Sequence, residues 1–405
     1  MKYDFNTPVN RRGTGASKWD VPEQVLPMWV ADMDFKTAPE IIEALKKRVE
    51  HGVFGYTDVE QRWYDAYINW WDKRHTFKMK PEWLIFCTGV IPAISSIVRK
   101  LTTPNEKVII QTPVYNIFFN SILNNGCRVS ESQLKYENGV FSMDFEDIEE
   151  KMSDPMATLF ILCNPQNPSG NIWSREELAR IGDLAEKYNV TVISDEIHCD
   201  LTDPGYEYIP FASVSEACRK VSITCMAPTK TFNIAGLQTA AVCVPDDFLR
   251  FKVWRGLNTD EVAEPNVFAC EAAATAFEKG GEWLNELRAY LAENKRIAHE
   301  FIEKEIPELR AIASHATYLL WIDVSNWKYD VNSVLTAGEK NGDTDAKDLT
   351  PADVLRRKTG LFLSDGNIYG GNGSSFLRMN LACPKVTLMD GLERLKEAVV
   401  SDRAS

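Results

Sequence analysis

Lys230 stands in Met226-Ala227-Pro228-Thr229-Lys230-Thr231-Phe232-Asn233, directly after the apolar run 221–224. A lone lysine is ordinarily a solvated charge. Among small and apolar neighbours it loses hydration, which lowers its pKa below about 10.4 and exposes a nucleophilic amine. Asp195 lies in Ser194-Asp195-Glu196-Ile197-His198, behind the run 190–193. It puts an acid at another strand end; its plain alternative is a helix N-cap. Asn164-Pro165-Gln166-Asn167-Pro168-Ser169-Gly170 follows the run 159–163. Its prolines fix the backbone and leave amide side chains projecting, and a mere loop would not require two asparagines. Thr88-Gly89-Val90-Ile91-Pro92 follows the run 84–87 and opens a helix. Free N–H groups there make an anion site, with an ordinary strand-to-helix turn as the alternative.

These segments need strands to hold them. The runs 83–87, 108–110, 158–162, 190–193 and 221–224 are short and apolar throughout. Runs of this kind suit parallel strands covered by helices on both faces. Between two of them, Ser174 and Glu177 have capping-box spacing ahead of an apolar stripe that reaches Tyr188. The alternation predicts a doubly wound α/β domain, whose ligands collect at the carboxyl ends of the strands. After about residue 280 the texture changes to a long amphipathic run to about Glu303, a strand over 318–323 and a final helix near 388–399. This predicts a large α/β domain over 46–280 and a small α+β domain built from 1–45 and 281–405. The segment 339–350, rich in Gly, Asp and Lys, reads as a solvated loop.

Composition bounds the function. The 405 residues are 44% hydrophobic and 25% charged, an ordinary globular mix. Lys plus Arg total 45 against 58 for Asp plus Glu, a net charge of −13. That excess disfavours nucleic acid, which needs a cationic surface, but permits an anionic ligand in a locally positive pocket. No signal-peptide pattern opens the sequence and no run reaches the length of a membrane span, so neither secretion nor a membrane is expected. Nine scattered cysteines without a C-x-x-C pair read as reduced thiols in the cytoplasm. Five scattered histidines without H-E-x-x-H give no expectation of a metal.

The order N-P-x-N-P-[ST]-G, [SD]-D-E, x-P-[ST]-K-[TS]-F-N resembles the class I/II aminotransferase family, the fold-type I enzymes that use pyridoxal 5′-phosphate (PLP). Residues 27–35, Pro-Met-Trp-Val-Ala-Asp-Met-Asp-Phe, are similar to the MalY/PatB-type cystathionine β-lyases, also called cysteine-S-conjugate β-lyases. So are residues 195–198, 230–237 and 317–323. The resemblance implies a PLP-dependent transferase-like fold with a mostly parallel, seven-stranded sheet in the large domain. It implies that Lys230 holds PLP as a Schiff base and later shuttles the Cα proton. Asp195 would face the pyridine nitrogen, Asn167 the ring hydroxyl, and Tyr115 would stack on the ring or else only pack. The amides of Gly89 and Val90 would cradle the phosphate with the Thr229 hydroxyl, and Tyr56 would reach that phosphate from a second subunit. Arg378 would clamp the substrate α-carboxylate, against the alternative of an exposed strand arginine. His198 is a cofactor-site candidate that otherwise packs. Asp32 and Asp34 lie in the segment that lines the substrate side in relatives, although acids beside Trp29 also form turns. Cys199 reads as core.

Two positions depart from the family pattern. Ala227 stands where many members have serine, and Gln238 where many have arginine, so the phosphate must lean on the helix N-terminus, Thr229 and Tyr56. The resemblance thus implies a homodimer with shared active sites acting on a small amino-acid substrate. The implied reaction is elimination from L-cystathionine and related cysteine S-conjugates, giving homocysteine or another thiol, pyruvate and ammonia. An aminotransferase using the same residues is the rival, and a second regulatory, protein-binding role beside catalysis is a further alternative.

Overall fold

The computed structural model describes residues 2–335 and 349–404. Its centre is a seven-stranded sheet of β1 (Leu84–Cys87), β2 (Lys107–Ile110), β3 (Arg128–Glu131), β4 (Ala157–Cys163), β5 (Thr191–Asp195), β6 (Ser222–Met226) and β7 (Ala240–Cys243). Their order is β1-β7-β6-β5-β4-β2-β3. Neighbours from β6 to β3 are parallel, and β7 alone runs antiparallel to both of its partners. Five strands fall on the apolar runs. They are buried on both faces because helices cover both sides, which is why no polar alternation marks them.

Helix starts follow local chemistry. The helix Arg175–Tyr188 begins with both halves of the Ser174/Glu177 capping box and ends on Asn189 in the left-handed conformation. Val90–Leu101 carries its apolar face against β1, β4, β6 and β7. A second, antiparallel sheet contains β8 (Arg310–Ala311), β9 (Leu319–Asp323), β10 (Ser364–Asp365) and β11 (Phe376–Asn380), in the order β8-β9-β11-β10. The helices Gly281–Glu305, Pro351–Thr359 and Lys385–Ser401 pack around it over a core that includes Leu320, Leu377, Leu388 and Leu392. The anticipated boundary at 280 falls where the 25-residue helix Gly281–Glu305 starts. The one at 45 cuts the helix Pro39–His51, which packs on the helix Ala269–Lys279. Most of the anticipated loop 339–350 lies outside the described residues; Thr350 caps the helix that follows it.

Candidate active site

β4, β5 and β6 end level with one another. Asp195 pairs with Cys163 on one side and Cys225 on the other. The Asn164 amide donates to the Asp195 carbonyl at 2.9 Å, and the Glu196 amide to the Cys225 carbonyl at 2.9 Å. The three segments that leave these strands therefore start side by side. They meet at a cavity of about 270 Å³ whose lining includes Asn167, Asp195, His198, Thr229 and Lys230, together with Gly89, Val90 and Tyr115.

Each polar group in it is tuned by burial. The Lys230 amine donates to the Ala31 carbonyl at 2.5 Å. Burial lowers its pKa to about 8; the Arg378 charge acts in the same direction, and Asp32 and Asp195 oppose it. Asp195 is pushed up to about 7 by burial, although the Ile197 amide, 3.1 Å away, and the Lys230 charge favour its ionised form. No helix starts directly after Asp195, so the capping alternative is not realised; the Ile197 contact belongs to a turn, and the carboxylate lines the cavity. His198 is lowered to about 3 by burial and by the Lys230 and Arg378 charges, so its ring is neutral. Its buried Nδ1 has no hydrogen-bond partner among the described residues.

Arg378 comes from β11, and at 5% exposure it is not a surface arginine. Its Nη1 donates to Asn167 Oδ1 at 3.1 Å and its Nη2 to the Trp29 carbonyl at 2.9 Å. The guanidinium lies 5.0 Å from the centre of the Tyr369 ring, and its buried Nε has no partner among the described residues. Gly89 precedes the twelve-residue helix Val90–Leu101 without a side-chain cap. The first-turn N–H groups have no carbonyl of their own helix to bond, so they present a partial positive charge to the cavity.

The two asparagines of the Pro-rich loop divide their tasks. Asn167 lines the cavity, whereas Asn164 is fully buried and donates to the Ile209 carbonyl at 2.9 Å. Glu196 is likewise internal. It accepts from the Ser194 hydroxyl at 2.8 Å, the Phe211 amide at 3.0 Å and the Tyr208 hydroxyl. Cys199 is buried in the core, as expected. It lies close to His75 and Asp200, but that grouping is held by hydrogen bonds: Asp200 accepts from Trp70 at 2.9 Å and Thr231 at 3.1 Å and lies 3.0 Å from His75 Nε2.

Of the anticipated residues, Tyr56, Asp32 and Arg378 lie outside the cavity lining, and Arg378 joins it through Asn167. Tyr56 is fully exposed in the single chain. Asp32 sits near Lys230, but its carboxylate is bonded to Arg11 at 2.6 Å, an attachment that its sequence context did not indicate. Sequence reasoning also passed over Tyr318, whose hydroxyl donates to the Ala31 carbonyl at 2.9 Å. Its signals were its place at the head of an apolar run and within 317–323, a stretch that shares in the family resemblance.

The family model for aminotransferase class I and II matches residues 23–395. The chain belongs to that family. Within it, the cystathionine beta-lyase PatB of Bacillus subtilis (strain 168) is 41% identical over 405 residues, covering 98% of this chain and 100% of the relative. Among solved structures, cystalysin from Treponema denticola, which contains a pyridoxal 5′-phosphate cofactor, is 33% identical with a TM-score of 0.91 and full coverage of both chains (100%). The PLP-bound C-S lyase from Staphylococcus hominis is 31% identical with a TM-score of 0.89, covering 99% of each chain. The fold is therefore the fold-type I architecture of this class I and II aminotransferase family.

Proposed function

We propose that this protein is a PLP-dependent carbon–sulfur β-lyase cleaving L-cystathionine and related cysteine S-conjugates to a thiol, pyruvate and ammonia. The carrying observation is one cavity that unites a lysine amine of lowered pKa, a buried carboxylate and the uncapped start of a helix, with a buried arginine bonded to its Asn167. The names of the 41% identical cystathionine beta-lyase and the C-S lyase favour elimination over amino transfer.

The residues present suit PLP. Asp195, held near pH 7 by burial, asks for a cationic partner such as a protonated pyridine nitrogen, and the orphaned His198 Nδ1 for a polar neighbour. Gly89, Val90 and Thr229 would take the phosphate, Asn167 the ring hydroxyl and Tyr115 the ring face. When bound, the group supplies a carbonyl for the substrate amine and an electron sink for the Cα carbanion. Lys230 would hold the group through its amine; when free, that amine would take the Cα proton, for which a pKa near 8 suits neutral solution. Arg378 orients the substrate through its α-carboxylate. The Cβ–S bond then breaks, and the departing thiolate receives a proton from Lys230 or Tyr56. Water hydrolyses the released enamine to pyruvate and ammonia.

The active unit in this reading is a homodimer. Its support is the full exposure of Tyr56 beside exposed Val53 and Phe54, together with exposed Phe251 and Trp254 on the helix Asp247–Thr259. In this reading the large domain ends at residue 280 and the small one combines the N-terminal segment with the chain after 280, the boundary at 45 being moved to the start of the helix Pro39–His51, which packs on Ala269–Lys279. Nine free, buried cysteines suit a reducing cytoplasm, and no helix among the described residues is long and apolar enough to cross a membrane. The test is pyruvate release from L-cystathionine with PLP and no 2-oxo acid, with Lys230→Ala as control. Equal pyruvate, ammonia and thiol from wild type alone establish the lyase. Product formation only after a 2-oxo acid is added, with an amino group moved onto it, would make the protein an aminotransferase.

A further inference from the structure

The segment 29–35 forms a wall beside Lys230 with almost no backbone pairing of its own. Its carbonyls are instead bonded by side chains from distant elements. Trp29 O accepts from Arg378 at 2.9 Å and Ser364 at 3.0 Å. Asn380 Nδ2 donates to Val30 O at 2.5 Å and Asp32 O at 2.6 Å. Ala31 O accepts from Lys230 at 2.5 Å and Tyr318 at 2.9 Å. Asn233 Nδ2 donates to Met33 O and Phe35 O, both at 2.9 Å, and Asn233 Oδ1 accepts the Met33 amide at 3.0 Å. Two of these donors, Lys230 and Arg378, are the groups assigned to proton transfer and carboxylate binding. A shift of the segment moves the acceptors on which both rest.

What holds the segment from behind is a compact ion cluster. Asp34, 4% exposed, accepts from Lys18 at 2.7 Å, Arg11 at 2.8 Å and the Trp19 indole at 2.8 Å. Asp32 accepts from Arg11 at 2.6 Å and lies 3.8 Å from Lys18. Lys18 is completely buried (0%) and Asp34 nearly so, while the Arg11 and Asp32 side chains stay 20% and 22% exposed, so two cations and two carboxylates balance with limited help from water. Apolar packing could anchor a loop, but it would tolerate sliding; charge-assisted bonds of fixed direction set its register.

We propose that Arg11 and Lys18 are positioning residues: by holding the Asp32 and Asp34 carboxylates they pin 29–35, whose carbonyls set the Lys230 amine and the Arg378 guanidinium. The proposal rests on the reading of Lys230 and Arg378 given above. It assigns a function to Ala31 as well. A neutral amine that donates one N–H to the Ala31 carbonyl keeps its lone pair directed elsewhere, ready to accept a proton. Asp32 thereby acts on the site through Arg11 and the backbone.

The test compares wild type, Arg11→Met and Arg11→Lys, each loaded with PLP and kept below its melting temperature. The readouts are kcat and KM for L-cystathionine, the pH midpoint of the visible band of the lysine-bound cofactor, and the rate of thermolysin cleavage within the first 35 residues. Arg11→Met should lower kcat and raise KM, each by about 10-fold, because small displacements of reacting groups carry penalties up to about 100-fold. The band midpoint should shift and N-terminal cleavage quicken, with Arg11→Lys recovering part of each change. If Arg11→Met does not fold, Arg11→Lys is read in its place, with the same signs. A lower melting temperature with kcat, KM and the band midpoint all at wild-type values would overturn the positioning role. Absence of both a visible band and pyruvate release in wild type would instead overturn the reading of the site, and the proposal with it.

Discussion

Replacing Arg378 with methionine keeps most of the side-chain volume and removes its charge. A substrate carboxylate bound by two guanidinium N–H groups gains two charge-assisted bonds, each worth about 1.5–3 kcal/mol. Taken together they bring about 3–6 kcal/mol, or about 10²- to 10⁴-fold in kcat/KM. The lower end applies here. Arg378 already donates to Asn167 and to the Trp29 carbonyl, so the carboxylate gains only the difference between its own bonds and those it replaces or shares. The same substitution removes a charge that helps to lower the Lys230 pKa, so that pKa should rise above about 8 in the cofactor-free protein and leave less neutral amine at that pH. Pyruvate release from L-cystathionine should therefore fall about 100-fold in kcat/KM. Arg378→Lys should recover only part of it, since an ammonium cannot reproduce the planar fork. Cofactor loading, read from the visible band, serves as the control. An Arg378→Met enzyme with full loading and wild-type kcat/KM would refute the carboxylate assignment.

Asp195 gives a stability prediction with a defined sign. Its folded pKa of about 7 exceeds the ordinary carboxylate value of 3.8, so between those limits the folded, cofactor-free protein binds more protons than the unfolded chain. Its contribution to stability therefore declines as pH rises from about 4 to 7. In Asp195→Asn that decline should be missing, as read from urea midpoints against pH; identical slopes in the two proteins would contradict a raised Asp195. The shared active site has a direct check in mixed variants. Tyr56→Phe and Lys230→Ala should each be impaired alone, and their mixture should regain activity through one intact site per mixed dimer; no gain on mixing would place Tyr56 outside the partner's site.

Much of the large sheet was legible because buried parallel strands are β-branched apolar runs. The two strands that escaped explain themselves. β3 (Arg-Val-Ser-Glu) is a partly exposed edge strand whose only partner among the described residues is β2, so nothing requires it to be apolar throughout. β7 (Ala-Ala-Val-Cys) is wholly buried, yet built mainly of small residues that give no strand signal. The cavity side chains were legible for a different reason. A desolvated amine, a carboxylate and a helix N-terminus each require a particular residue type or turn, and the level ends of β4, β5 and β6 bring their segments together. The wall over 29–35 could not be read in that way. It works through main-chain carbonyls, which every residue carries, so its identity is written only in scattered donors such as Asn233, Asn380 and Arg11. Asp32 drew attention in the right segment, but its partner lies 21 positions away in a stretch without a recognisable pattern.

The electrostatics of the cavity favour a ligand of mixed charge. Burial holds Asp195 near half-protonation at about pH 7, leaves His198 neutral, and lets Lys230 shed its proton near pH 8. Desolvation suppresses both signs, and the positive end of the helix Val90–Leu101 has no side-chain cap to answer it. An anion alone would satisfy the helix but raise the Asp195 pKa further. A cation alone would ionise Asp195 but work against the Lys230 and Arg378 charges. A molecule carrying a phosphate at one place and a protonatable ring nitrogen at another answers both demands. It would drive Asp195 to its ionised form, and Lys230, whose pKa near 8 leaves far more neutral amine at neutral pH than an ordinary lysine has, could join it without first being stripped of a strongly held proton.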